Sequence, residues 1–396
     1  MNLTQQQTLT IQHQYPVVFT RELFSRQNPI LAEVLRQAGQ QRHRILVAID
    51  SGVLAADPSL PERAQAYAQF HANLMELLMP PLVVRGGEIC KDDPREVTTL
   101  HMLVAKAHLC RQSFVMVIGG GAVLDAIGYA TATAHRGLRL LRVPTTTLAQ
   151  ADAGIGVKNA INALGRKNFL GTFAPPFAVF NDFEFLATLP PRELRAGLAE
   201  AVKVALVKDA ATFAALYEHR LQLGAFQPDA IEVAIHRCAE LHLNHIRDGG
   251  DPFERRSARP LDFGHWLAHK LEEISHGELR HGEAVAIGIA VDAHYSARVG
   301  SISTQDLARI VETLRDVGFT LWHECLRCVD IGVAMQEFQE HIGGPLTLTV
   351  LDGIGGQRDV TEIDLGLMRE CIATLGSPAH DREERRGSIN LSTIGD

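Results

Sequence analysis

The sequence predicts an α/β domain followed by a mostly helical one. Three observations carry this. Short apolar runs alternate with helical patterns up to about Asn181. Beyond it, strand-like runs nearly vanish and helical patterns follow one another. And 396 residues are more than one ordinary core organises. The α/β domain is expected over 1–182 and the helical domain over 183–376. A charged, apolar-poor tail at 377–396 is expected to be loosely docked.

Residues 44–52 read as a buried strand ending in a turn, and 61–78 as an Ala/Leu/Met-rich helix. A short strand at 81–84 runs into Arg85-Gly86-Gly87-Glu88. A helix at 95–107, a strand at 114–118, a helix at 122–134 and a strand at 138–143 follow, the last stopped by Pro144. Such alternation argues for a parallel sheet covered on both faces. Helical periods then occupy 191–207, 210–223, 228–246, 261–274, 283–298, 304–317 and 332–341, with only 346–351 extended.

Composition excludes several classes. The chain is 46% hydrophobic and 21% charged, as soluble globular proteins are. A formal charge of -8 argues against nucleic acid as a partner but leaves room for a local phosphate pocket. Residues 1–16 are polar and Gln-rich, without the basic and apolar regions of a secretory signal. The longest near-apolar run, 114–134, is broken by three glycines and Asp125, so no membrane span is expected. Six scattered cysteines suggest no disulfide framework and fit a reducing cytoplasm. Cys325 and Cys328 form one C-x-x-C beside His323, read as packing thiols with metal or redox chemistry as the alternative.

Gly119-Gly120-Gly121 follows a strand and opens a helix whose first turn is expected to carry Asp125. Glycines admit a phosphate to the backbone, and a helix N-terminus offers free N–H groups and positive dipole. The pattern is not G-x-G-x-x-G, so only its context points to a dinucleotide; tight packing is the other reading. Between 145 and 171, hydroxyls, glycines and the cations Lys158, Arg166 and Lys167 crowd a stretch without helical period. In an acidic chain this points to an anion-binding loop rather than a merely solvated one. Glu200 and Lys203, at i and i+3 in an apolar helix, read either as an ion pair or as a metal ligand beside a catalytic cation. His265 and His269 share a helix face and His281 opens the next helix. Imidazoles converging from two helices suit zinc; partly buried histidines with ordinary hydrogen bonds are the alternative.

One set of motifs stands in a particular order: Gly119-Gly120-Gly121-x-x-x-Asp125, Arg136-Gly137, Val143-Pro144-Thr145-Thr146, Lys158, Asn162, Lys167-Asn168, Thr188-Leu189-Pro190, Gly197-Leu198-Ala199-Glu200-x-x-Lys203, Phe263-Gly264-His265-x-x-x-His269 and His281-Gly282-Glu283. In this order, between Asp50 and Leu351, the chain resembles 3-dehydroquinate synthase and the wider sugar phosphate cyclases. The resemblance implies a Rossmann-like NAD-binding domain followed by a helical metal-binding domain. It implies Glu200, His265 and His281 as ligands of zinc, with cobalt also suited. Asp50, Glu88, Lys91, Gly120, Gly121, Asp125, Thr145, Thr146, Lys167 and Thr188 would form the NAD set. Asp152, Lys158, Asn168 and Lys203 would meet substrate, and Arg136 its phosphate across a homodimer interface. His269 and Glu254 match positions assigned to proton transfer. Similar enzymes oxidise one alcohol of a seven-carbon sugar phosphate with NAD and eliminate phosphate beside the new ketone. The same NADH then reduces that ketone, and an aldol addition closes the carbocycle.

The chain departs from the synthase pattern at several cations. Synthases carry Asn where Asp262 stands, Arg where Ala258 stands (Arg259 is adjacent) and Lys where Asn244 stands. Their Lys-Lys pair is absent from the region of His341-Ile342-Gly343-Gly344. A buried, unpaired carboxylate costs several kcal/mol, so the expected substrate lacks one. Sedoheptulose 7-phosphate, used by valiolone-type cyclitol synthases, fits; 3-dehydroquinate synthase activity remains if Arg259 takes the missing arginine's place. His269 keeps the synthase type, which suggests a separate branch similar to the cyclases of bacterial Ebo-type clusters. The rival enzyme is a polyol dehydrogenase of the glycerol or iron-alcohol type. Many of these use an Asp ligand with His four residues on, where this chain has Glu200 and Val204. A non-catalytic binding protein retaining the fold is the reading from another class.

Overall fold

The computed structural model describes residues 4–39 and 41–376; the tail at 377–396 lies outside the described residues. The described residues divide into two compact units, those up to Thr145 with Gly156–Phe185, and Thr146–Ile155 with those from Leu186 on.

The first unit is built on a parallel sheet. Its strands are β1 (Val17–Thr20), β2 (His43–Asp50), β3 (Met75–Leu77), β4 (Leu82–Val84), β5 (Phe114–Gly119) and β6 (Arg139–Pro144). After an antiparallel hairpin of β7 (Lys158–Ala163) and β8 (Arg166–Phe173), β9 (Ala178–Asp182) completes the sheet. The order is β1-β9-β6-β5-β2-β3, with β4 also on β2, and every pairing is parallel. Strands β2, β5, β6 and β9 are buried at nearly every position, as strands covered on both faces require.

Three expectations change here. The helix expected over 61–78 is Leu60–Phe70, and β3 follows, because Met75–Leu77 finds β2 to pair with. Strands β1 and β9 were not expected. The stretch read as an irregular loop holds the β7–β8 hairpin; β8 is exposed along nearly its whole length and so carries no buried-strand pattern.

The second unit is a helical assembly with one small hairpin of β10 (Leu348–Leu351) and β11 (Gln357–Val360). Four of its helices matter for function: Pro191–Lys208, Pro228–Asp248, His265–Ile274 and His281–Arg298. The segment Thr146–Ile155 departs from the expected division at 182/183. It forms a helical turn, Ala149–Ala153, secured to this unit by the Thr147 hydroxyl. That hydroxyl donates to Glu193 O (2.9 Å) and accepts from Gly197 N (3.1 Å).

The helix expected from 261 begins only at His265, because Gly264 breaks it with φ +80°. A side chain at Gly264 would lie 2.7 Å from Ile289 N, so glycine also sets the close crossing with the His281 helix. Similarly, a Cβ at Gly282 would meet Ala196 O at 2.4 Å, which brings the His281 helix onto the Pro191–Lys208 helix.

Candidate active site

At the carboxyl end of the sheet, β2 ends at Asp50, β4 runs into 85–88, β5 ends in the glycines and β6 runs into Thr145. From β2 the chain goes to one side for β3 and β4, then to the other for β5, so strand order reverses between β2 and β5. Open α/β sheets bind ligands at such a point. The helix Gly121–Thr133 begins behind Gly120 with no side chain capping it, leaving its first N–H groups for a ligand. The buried Thr145 hydroxyl has no hydrogen-bond partner among the described residues. Free helix N–H groups, glycines and an orphan hydroxyl fit a dinucleotide.

Asp50 has work of its own here. Its carboxylate accepts from Gly52 N at 2.8 Å and lies against Gly86, where a Cβ would meet it at 2.5 Å. Burial pushes its pKa up, opposed by N–H donors from Gly52, Gly120 and Val53. Asp125 is one turn further into its helix than expected, and the buried Lys91 ammonium binds it at 2.8 Å. Lys91 also bonds Asn168, whose backbone N–H donates to Asn162 Oδ1 at 2.8 Å. Thus Lys91, Asp125 and Asn168 form one polar cluster. Asn162 reaches Asp92 at 2.7 Å and Glu88 at 3.4 Å, while Lys158 and Lys167 lie exposed on the hairpin.

One residue of this unit was missed. Arg142, fully buried in β6, donates to Gly156 O (2.9 Å), Lys158 O (2.8 Å) and Asn159 Oδ1 (2.7 Å). It fixes the strand that starts at Lys158. Its signal was visible: an arginine within the apolar run 138–143 must find acceptors.

Arg136 lies beyond the C-terminus of the helix Gly121–Thr133, with φ +63° between His135 at +51° and Gly137 at +113°. It lines a cavity of about 700 Å³ together with His13, Arg111 and Arg139.

In the helical unit, Glu200, His265 and His281 converge. One ligand atom from each lies within 4.8 Å of the others, and this is the only such cluster among the described residues. His265 Nε2 is 3.5 Å and His281 Nε2 3.7 Å from Glu200 Oε1. These separations exceed good hydrogen bonds but approach the roughly 3.3 Å between ligand atoms around tetrahedral zinc. Glu200 is fully buried, and its other oxygen meets the buried Lys203 ammonium. Burial disfavours both charges, yet each holds the other ionised: Lys203 and the two histidines lower the Glu200 pKa, and Glu200 and Asp152 raise that of Lys203. So the ion pair and the metal-ligand arrangement coexist, one per carboxylate oxygen. The residues fit a zinc or cobalt ion.

The imidazoles are oriented from behind. His265 Nδ1 is 3.3 Å from Phe263 O, and His281 Nδ1 3.2 Å from Glu272 Oε2. Sequence reasoning passed over Glu272, although it stands at i+7 from His265 on the same helix stripe. His269 stays outside the cluster, its ring 5.4 Å from that of His265 and 5.5 Å from that of His341. Burial and the neighbouring histidines push its pKa down to about 3, so the ring is held neutral. Asp152 pairs with His242 at 3.1 Å. Glu254, at φ +47°, lies with its carboxylate 3.7 Å from Arg259, and Thr188 is exposed at the end of a 3₁₀ turn. Cys325 and Cys328 lie on another 3₁₀ turn as free thiols.

A parallel α/β unit with a nucleotide-type switch point, followed by a helical unit with a Glu/His/His cluster, is the plan of dehydroquinate synthase-like proteins. Residues 81–196 match the family model of the 3-dehydroquinate synthase N-terminal domain, and 197–341 that of its C-terminal domain. The chain belongs to the 3-dehydroquinate synthase family of sugar phosphate cyclases. It is 32% identical to a 2-epi-5-epi-valiolone synthase of Streptomyces glaucescens, over 86% of this chain and 85% of that one. It is 37% identical to a 3-dehydroquinate synthase of Pelobacter propionicus, over 66% and 73%. The solved structure of ValA, a 2-epi-5-epi-valiolone synthase from Streptomyces hygroscopicus subsp. jinggangensis with NAD+ and Zn2+ bound, superposes with a TM-score of 0.83 at 29% identity, covering 94% and 99%. Dehydrogenases, the rival reading, are more distant.

Proposed function

We propose that this chain is an NAD- and zinc-dependent cyclase of sedoheptulose 7-phosphate, acting as a cytoplasmic homodimer. One observation carries the choice of substrate. Arg259, the cation nearest in sequence to the arginine that synthases have, is held by its own neighbours. Its Nη1 lies 3.7 Å from Glu254 Oε2 and 4.0 Å from Asp262 Oδ2, and its Nη2 donates to Glu254 O (3.3 Å) and Ile342 O (3.1 Å). The guanidinium is thus engaged by protein carboxylates and carbonyls. A substrate carboxylate would have to displace these contacts; a neutral hydroxymethyl group would not.

Glu200, His265 and His281 would hold the metal, which supplies Lewis acidity to adjacent substrate oxygens. NAD at the glycine turn would take a hydride and return it each turnover. Lys203 stabilises developing oxyanion charge, and His269, at a position that the resemblance assigns to proton transfer, lies beside the cluster. Arg136 supports the dimer. A 13-residue helix separates it from Gly120, about 20 Å at 1.5 Å per residue, well beyond an arginine's reach. Its phosphate contact is therefore proposed to serve a neighbouring subunit.

The test is inorganic phosphate release by purified protein with NAD and zinc, each heptulose phosphate being offered separately. Release from sedoheptulose 7-phosphate without net NADH is expected. Release only from the 3-deoxy acid would overturn the substrate and make the chain a 3-dehydroquinate synthase. NADH accumulating from a simple polyol would overturn the cyclase.

A further inference from the structure

We infer that Glu272 is a positioning residue for the metal ligand His281, setting how tightly the Glu200–His265–His281 cluster holds its ion. This rests on the reading of that cluster as a metal site.

The helix His265–Ile274 presents His265, His269 and Glu272 at i, i+4 and i+7, one stripe along the helix. The first residue of that stripe is in the cluster. The last is not: Glu272 Oε2 instead lies 3.2 Å from Nδ1 of His281, at the start of the next helix. The other nitrogen of the same ring, Nε2, faces Glu200 Oε1. An imidazole can present Nε2 as a lone-pair donor only if its proton is on Nδ1. Glu272 fixes that tautomer and the ring plane together. The carboxylate's side chain is 11% exposed and the imidazole's 29%, so water competes weakly for the contact.

The two histidines thus differ in what stands behind them. His265 has a neutral carbonyl, Phe263 O, on its own chain segment. His281 has an anionic carboxylate contributed by the neighbouring helix. A carboxylate makes the ring the more basic ligand and ties the two helices at the metal. The dependence is one-sided: Glu272 serves His281 and is absent from the ligand cluster.

The probe is cobalt(II), whose visible absorption reports its ligands, with zinc competition as a second affinity readout. Glu272→Ala is expected to weaken cobalt and zinc binding about 10- to 100-fold while the cobalt band keeps its position and intensity. Glu272→Gln keeps the size and an acceptor oxygen, so it should recover part of that loss. In a His281→Ala background, adding Glu272→Ala should cost no further affinity. Wild-type affinity in both single variants would overturn the inference. So would a shifted cobalt band, which would make Glu272 a direct ligand. So would an equal loss in the His281→Ala background, which would make its role structural. If the wild-type chain binds cobalt and His265→Ala binds it equally well, the metal reading itself falls and Glu272's role with it.

Discussion

The glycine turn of the α/β unit offers a ligand mostly backbone: the extended Gly120, the helix N–H groups behind it, and a single orphan hydroxyl on Thr145. The cluster of the helical unit offers only side chains, from three helices, among them a fully buried carboxylate balanced by Lys203. The first kind of site costs the fold little, because strand ends and helix starts leave such groups free in any case. The second buries two charges and depends on close helix crossings at Gly264 and Gly282. Function and stability should therefore separate in the α/β unit and remain coupled in the helical one.

The largest effect tests that coupling. Glu200→Ala removes a ligand and leaves the Lys203 ammonium buried without its partner. Phosphate release should fall by about 10³-fold or more. Urea unfolding should show a loss of about 3–5 kcal/mol. An inactive variant with unchanged stability would break the link between the ion pair and the fold.

Arg142→Met asks whether the α/β unit holds a comparable buried charge. The substitution strips acceptors at Gly156, Lys158 and Asn159 of their donor. A loss of about 3 kcal/mol by urea unfolding is expected. A variant as stable as the parent would show that the hairpin does not need this clamp.

Asp292 gives the helical unit a pH dependence. Its buried carboxylate accepts from Gly264 N at 2.8 Å and Trp266 Nε1 at 2.9 Å. Burial outweighs those donors and pushes its pKa from 3.8 up to about 7. Between these values the folded chain is the more protonated, so stability falls as pH rises from about 4 through 7. Compared with Asp292→Asn, the parent should lose about 4 kcal/mol across that window, followed by thermal melts at several pH values. Parallel curves for the two proteins would exclude Asp292 as the source.

What could be read in the sequence follows the same contrast. Strands β2, β5 and β6 were legible because burial on both faces makes them apolar runs, and the glycines marked the turn. The hairpin was not: β8 is solvent-facing, and β7 turns Asn159 inward to Arg142, so neither alternates cleanly. The metal candidates were legible through their order along the chain, since helical spacing relates His265 to His269 but cannot place Glu200 or His281 beside them. Glu272 was overlooked because a glutamate on a helix is ordinarily a solvated surface residue. Only the crossing of two helices turns it towards His281. The division read at 182/183 leaves Thr146–Ile155 with the α/β domain, whereas its contacts group it with the helical unit. Its attachment rests on the burial of Ala149, Gln150 and Ala151, the Asp152–His242 pair and the Thr147 hydrogen bonds, none of which carries a periodic signal.

The smallest expected effect tests the contrast most directly. Thr145→Val replaces a buried hydroxyl that has no partner among the described residues with a methyl of similar size. Removing an unsatisfied buried group costs the fold nothing and can raise its stability slightly. If the hydroxyl exists for the dinucleotide, NAD binding should weaken about tenfold, the worth of one hydrogen bond. Titration calorimetry with NAD and urea unfolding on the same variant read the two quantities independently. Weaker binding at unchanged or higher stability is what a backbone-built site predicts. Unchanged binding would assign the hydroxyl no part in the nucleotide site, and a loss of stability would mean that it is satisfied within the protein, making this end of the sheet as coupled to the fold as the metal cluster is.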